Sequence, residues 1–128
     1  MKDEIVTVRP EVSTDTKQKL PYYVGISGLT AGSRGLSLNM VVIPAGGKAE
    51  AHSHNDFETA IYLLKGEVET RYGKNLEKSV VHHSGDFIFI PPNVPHQPKN
   101  LSLDEAAIAI VARNDPNEQE NVSLYQRE

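Results

Sequence analysis

The stretch AHSHNDFETAIYLLKG, residues 51–66, places His52 and His54 one residue apart, after the pair Gly46-Gly47 and before an apolar run. In a β-strand successive side chains point to opposite faces, so His52 and His54 share a face while Ser53 takes the other. That geometry suits two imidazoles gripping one metal ion, and equally two polar residues on an exposed strand. Imidazole nitrogens favour zinc, copper, iron and nickel, and an added carboxylate extends the range to manganese. Four residues after His54 stands Glu58, at the head of the apolar run. His96 follows later in PPNVPHQP, where Pro91, Pro92 and Pro95 stiffen the chain that carries it, and a ligand fixed before the metal arrives binds it better.

Working outward, short apolar segments recur between glycine, proline and asparagine: YYVGI, LSLNMVVI, TAIYLLKG, VETRY, KSVV, DFIFI and AAIAIVA. Turn signals separate them, as in AGSRG, PAGGK, YGKN, HHSGD and PPNVP. Short strands at close spacing with such turns predict an all-β sandwich or barrel. The best helical competitor is LSLDEAAIAIVAR, but its β-branched Ile108, Ile110 and Val111, after a proline-rich turn, favour a strand. At 128 residues the chain has the length of one domain. Residues 1–20 read as an amino-terminal arm with one short strand, 21–113 as the barrel, and 114–128 as a polar tail, partly disordered or folded over the surface.

Composition narrows the function. A formal charge of −4 and scattered Lys and Arg give no basic block able to track a phosphate backbone, so nucleic acid is not an expected partner. With no cysteine, disulfides, a thiolate nucleophile and a Cys-bound zinc are excluded, leaving N and O ligands for any metal. The opening MKDEIVTVRP lacks the apolar core of a secretory signal, which makes the cytoplasm the expected location. The apolar run from Ala106 to Ala112 is far shorter than the ~20 residues of a membrane helix, so no membrane partner is expected. The sequons at Asn100 and Asn121 then read as chance. His82 and His83 are adjacent and so point to opposite faces, a poor chelating pair read as solvated.

Two stretches together resemble the cupin superfamily, of the small single-domain kind. From Gly46 to Gly66 the chain is similar to that family's first motif: glycine, five residues, His-x-His, three or four residues, glutamate, about six residues, glycine. From Gly85 to Asn100 it is similar to the second: glycine, five residues, proline, one residue, glycine, two residues, histidine, three residues, asparagine. Gly46, His52, His54, Gly85, Pro91, His96 and Asn100 all fall in place. Two departures stand out. Asn93 replaces the motif glycine before His96, a mild change because Asn tolerates positive φ. Counting back six residues from Gly66 puts the usual acid at Thr59, with Glu58 one residue early. Strand alternation forbids both facing the metal without a bulge. Either Glu58 swings in, or Thr59 faces the interior and three histidines with water hold the ion; in that second phase Ile61 and Leu63 also turn inward.

The resemblance implies an antiparallel jelly roll, the double-stranded β-helix barrel. It also implies one divalent first-row transition metal (Fe, Mn, Ni, Zn or Cu) held by His52, His54 and His96, with Glu58 or solvent in the remaining positions. The function implied is a small-molecule metalloenzyme of dioxygenase, decarboxylase or isomerase type, its catalytic residues beyond the ligands not identified. A non-catalytic metal-dependent barrel that binds or senses a small molecule is the alternative, since an inner face of Ile, Leu, Val, Met40 and Phe shows no general base beyond the ligands. A homodimer is expected, through sheet faces and exchanged amino-terminal arms. Gln97, Tyr62 and Tyr23 are candidate contacts around the ion or substrate, each as readily a packing or surface residue.

Overall fold

The structure is a computed structural model that describes residues 3–10, 20–117 and 122–125, and the backbone of Thr14 and Asp15. The stretch STDTKQK in the arm, apart from that two-residue backbone, and the sequon at Asn121 lie outside the described residues.

Two antiparallel sheets face each other. The first runs in the order β1 (Thr14–Asp15), β2 (Pro21–Ile26), β3 (Ser37–Ile43), β10 (Ala107–Arg113), β5 (Thr59–Lys65), β8 (Phe87–Ile90). The second runs β11 (Val122–Leu124), β4 (His52–His54), β9 (His96–Asn100), β6 (Glu67–Tyr72), β7 (Lys78–His83). Sequence neighbours such as β4 and β5 lie in different sheets, the double-stranded jelly-roll arrangement that the resemblance implies and one form of the sandwich or barrel that the strand-and-turn pattern predicts. LSLDEAAIAIVAR resolves as a strand: β10 pairs with β3 on one side and β5 on the other, and its β-branched residues suit a strand with two partners.

Buried Leu20, Ile43, Ala49, Leu63, Val68 and Ala107 form the core, with Val41, Ile88 and Ala109 packed against it. Each inward position alternates with an outward one, so the phase of each strand decides what the interior contains. Along β10, Ala107, Ala109, Val111 and Arg113 point in; along β5, Thr59, Ile61 and Leu63 do so. In DFIFI, Ile88 and Ile90 face the interior, while Phe87 and Phe89 are 84% and 58% exposed. The expected inner face of Met40 and Phe is therefore corrected. Met40 lies between the inward residues Asn39 and Val41, and DFIFI is apolar on both faces, so hydrophobicity could not set its phase.

The motif residues build the turns. Gly66 sits at φ +113°, and a Cβ there would meet the Ala107 Cβ at 2.7 Å, so only glycine lets the β5–β6 turn pass so close to β10. Asn93 takes φ 65°, as its tolerance of positive φ predicts. It also clasps the other motif: its backbone N–H donates to the His54 carbonyl at 3.0 Å, and its side chain exchanges two 3.1 Å bonds with Asp56. Asn100 is fully buried, its amide donating to the carbonyls of Ile43, Pro44 and Glu105, which ties the end of β9 to the loop after β3. GLTAGSRG, which contains the AGSRG turn signal, begins with one helical turn, α1 (Gly28–Ala31), capped by Ser27. Part of the tail forms β11 along β4, with Val122 opposite His54 and Leu124 opposite His52.

Candidate metal centre

β4 and β9 lie side by side with His52 directly opposite His96, and His54 follows two residues along the same face. The three rings are 3–4% exposed, with centroids 4.3 Å apart for His52 and His96, 5.1 Å for His52 and His54, and 5.4 Å for His54 and His96. One nitrogen from each lies within 4.8 Å of the others. His96 lies at the first residue of a strand rather than in a loop. The prolines before it confine its approach, and pairing with β4 and β6 fixes the rest.

Local hydrogen bonds set the rings for coordination. The Nδ1 of His52 lies 2.8 Å from the Glu50 carbonyl, and that of His96 lies 2.9 Å from the Val94 carbonyl. A carbonyl only accepts, so each Nδ1 carries the proton and each neutral ring keeps its Nε2 lone pair available, the usual arrangement of a metal-binding histidine. Burial holds all three rings in the neutral form that a ligand needs. It pushes His52 down to about 3, with the neighbouring His96 charge adding to the effect and the bond to Glu50 opposing it. His96 is pushed to about 4, burial again leading and the bond to Val94 opposing. His54 falls furthest, through burial first and the Arg113 charge second. The Nδ1 of His54 is buried with no hydrogen-bond partner among the described residues, a costly state for a polar atom. An ion among the rings, or water held by it, satisfies such an atom, so this donor set fits a transition metal.

Glu58 does not join them. It is exposed, its backbone N–H bonded to the Asn114 side chain at 2.8 Å, and β5 opens at Thr59, which is 1% exposed and faces the histidines' cavity. Glu58 as a further ligand is thus corrected by strand phase: of the two alternatives, Thr59, Ile61 and Leu63 face inward and no bulge brings the carboxylate round.

The histidines close one end of a cavity of about 90 Å³ inside the barrel, room for several waters or one small molecule. Its walls are mostly apolar, and among the described residues no carboxylate lines it. Tyr22 lines it, its hydroxyl accepting from Asn39 at 2.8 Å. Tyr62 instead stacks on Phe87 outside, and Gln97 donates to the Ala49 carbonyl, so neither they nor Tyr23 reach the cavity. His82 and His83 do point to opposite faces. His83 pairs with Glu67 at 3.0 Å on the surface, but His82 lines the cavity, opposite Val68 and so at the far end of β6 from the metal-ligand candidates. Arg113, which sequence reasoning passed over, is 6% exposed, lines the same cavity and donates from Nε to the Thr59 hydroxyl at 3.3 Å.

Residues 39–112 match the family model of the cupin domain. The chain is a cupin. Among solved structures with this fold, a conserved protein with a double-stranded β-helix domain from Klebsiella pneumoniae is 16% identical, with a TM-score of 0.70 and 91% of each chain covered. The polyketide cyclase RemF from Streptomyces resistomycificus is 20% identical over 100% of this cupin and 88% of its own chain, with a TM-score of 0.73. The oxalate decarboxylase of Bacillus subtilis, studied for its Mn(II) centres, is 14% identical with a TM-score of 0.74; this cupin covers 89% of itself and 30% of that chain. No curated protein sequence matches. At these identities the likeness is one of fold. No helix among the described residues is long and apolar enough to cross a membrane.

Proposed function

We infer that this cupin is a metal-dependent enzyme acting on a small molecule, with His52, His54 and His96 holding one divalent first-row transition ion. The observation that carries the reading is the convergence of three buried, neutral histidines in a mostly apolar cavity. Such an ion supplies either Lewis-acid polarisation of a substrate oxygen or a site for oxygen activation, which covers decarboxylase, isomerase and dioxygenase chemistry. The chain's own contribution is to hold the imidazoles in one tautomer through Glu50 and Val94, and to exclude bulk water with Ile61, Leu63 and Val111. The Mn(II) centres of one structural relative, an oxalate decarboxylase, lie within this range.

A second reading has its own support. No carboxylate lines the cavity among the described residues, which suits a metal-dependent binding or sensing barrel that does no chemistry. Incubating metal-loaded and metal-free protein with a panel of small organic acids, with and without O₂, separates the two. Metal-dependent turnover of any member supports the enzyme, and binding without turnover across the panel supports the sensor.

A homodimer belongs to the same proposal. The outer face of the six-stranded sheet exposes Phe87, Phe89 and Leu38 around a shallow groove that also includes Tyr62, Ile110 and Ala112. An apolar patch of this kind is what a second sheet would cover.

A further inference from the structure

β7 is the outermost strand of the five-stranded sheet, and all of it is exposed except His82. That residue is half-buried and lines the cavity opposite Val68 on β6, while Val81 and His83 on either side face outward. The same strand β6 carries Tyr72 opposite His96. Val68 and Tyr72 are four residues apart, and at about 3.3 Å per residue the two levels are about 13 Å apart. One cavity therefore has a histidine at each end. Proton transfer works over a hydrogen bond of about 3 Å, so His82 does not serve atoms bound at the three-histidine end. What it can do there is bind.

Its surroundings suit that task. Leu63, whose backbone bonds to Gly85 and Asp86 just after β7, lines this end together with Val68 and Ala107, an apolar wall. The Nδ1 of His82 is buried with no hydrogen-bond partner among the described residues, and interiors ordinarily satisfy such an atom. Burial holds the ring below its usual 6.5, against the pull of the Asp86 carboxylate. At neutral pH it is then a neutral imidazole, with one nitrogen that donates and one that accepts. A hydroxyl also does both, so it can meet either tautomer.

We propose that His82 is a second recognition point of the cavity, and that the ligand is a linear aliphatic molecule with a metal-binding oxygen group at His52, His54 and His96 and a hydroxyl at His82. For its first end this rests on the metal-centre reading, and it names the substrate class of that same cavity; the second end needs no ion. A contact of about 3 Å at each end leaves about 7 Å for the body, the reach of roughly six to eight carbons. A cavity of about 90 Å³ spread along that length is narrow, which favours an unbranched chain over a ringed one. His82 thereby selects for length and for a polar far end, where the wall alone would select only for hydrocarbon.

The test is a calorimetric titration of the full chain, loaded with Zn(II), with butanoic and octanoic acids and the ω-hydroxy form of each. A hydroxyl buried without a partner weakens binding, so one that strengthens it has met a partner. In octanoic acid the ω-hydroxyl is expected to tighten binding by about threefold to tenfold, the worth of one hydrogen bond. In butanoic acid, too short to reach, it should bring no gain. His82→Leu should lose the gain with its zinc content unchanged, while His82→Gln keeps part of it. The ring nitrogen resonances of His82 should move with ω-hydroxyoctanoic acid and stay in place with octanoic acid. No gain in the parent, an equal gain for butanoic acid, no binding of either octanoic acid, or an undiminished gain in a folded His82→Leu overturns the proposal. Should His82→Leu not fold, the parent's gain and the His82 resonances decide. Should the parent take up no zinc, the metal-centre reading fails separately, and the octanoic pair on the metal-free chain still decides for or against His82.

Discussion

His52 and His54 are held by β4 and His96 by β9, and the rings of His52 and His96 are aimed by the carbonyls that their Nδ1 atoms meet. His52→Ala or His96→Ala removes a ligand from a trio and should release most of the bound metal. Glu58→Gln alters an exposed side chain outside the cluster and should leave metal content as in the parent. Elemental analysis after reconstitution checks both. The histidines were legible in the sequence because ligand spacing is a local property: one residue between His52 and His54, and fixed intervals from Gly85 to His96. Glu58 against Thr59 was not, because a single-residue shift decides a strand's phase and the turn at Asp56, with φ 63°, sets that shift. Arg113 left only a faint signal. It continues the alternation of Ala107, Ala109 and Val111, but a basic residue closing an apolar strand looks like the start of solvent-exposed chain.

At the scale of elements, turn punctuation located the strands well, since glycine and proline act on the residues beside them. YYVGI, LSLNMVVI, TAIYLLKG, VETRY, KSVV, DFIFI and AAIAIVA correspond to β2, β3, β5, β6, β7, β8 and β10. The strands that escaped pattern reading are short or polar. HQPKN forms β9 and VSL forms β11 because β4 and β6 offer them partners, which no local propensity reveals. The turn at Gly66 carries its own prediction. Gly66→Ala forces a Cβ into Ala107 at a φ that alanine avoids, so it should cost about 2 kcal/mol or more in urea denaturation. Gly32→Ala is the control: it also has positive φ, but nothing lies within 4 Å of the added carbon. A loss at Gly66 no greater than at Gly32 would mean that β10 yields to the contact.

For the whole molecule, three histidines kept neutral by burial make stability depend on pH. In the unfolded chain each takes a proton near 6.5, whereas in the folded chain His96 resists until about 4 and His52 until about 3. Between those values the unfolded state binds more protons, so the metal-free protein should lose stability as pH falls from 7 towards 4. Denaturant midpoints at pH 7, 5.5 and 4 measure this, and a His52→Asn/His96→Asn double variant should show a shallower decline. An equally steep decline in that variant would assign the acid sensitivity to other groups. The outer face of the six-stranded sheet governs a separate property. Phe87→Glu with Phe89→Glu leaves the cavity lining intact and should convert a dimer to a monomer by light scattering. A parent that is already monomeric at micromolar concentration would remove the homodimer.

The metal centre we infer rests on His52, His54 and His96 alone. The most direct test is the metal content, by plasma mass spectrometry, of the parent, His96→Ala and Glu58→Gln, each reconstituted with Mn(II), Fe(II) and Zn(II) in turn. About one equivalent of at least one metal in the parent and in Glu58→Gln, with little in His96→Ala, is the predicted result. Equal metal loss from Glu58→Gln and His96→Ala, or no metal in the parent under any of the three, would contradict it.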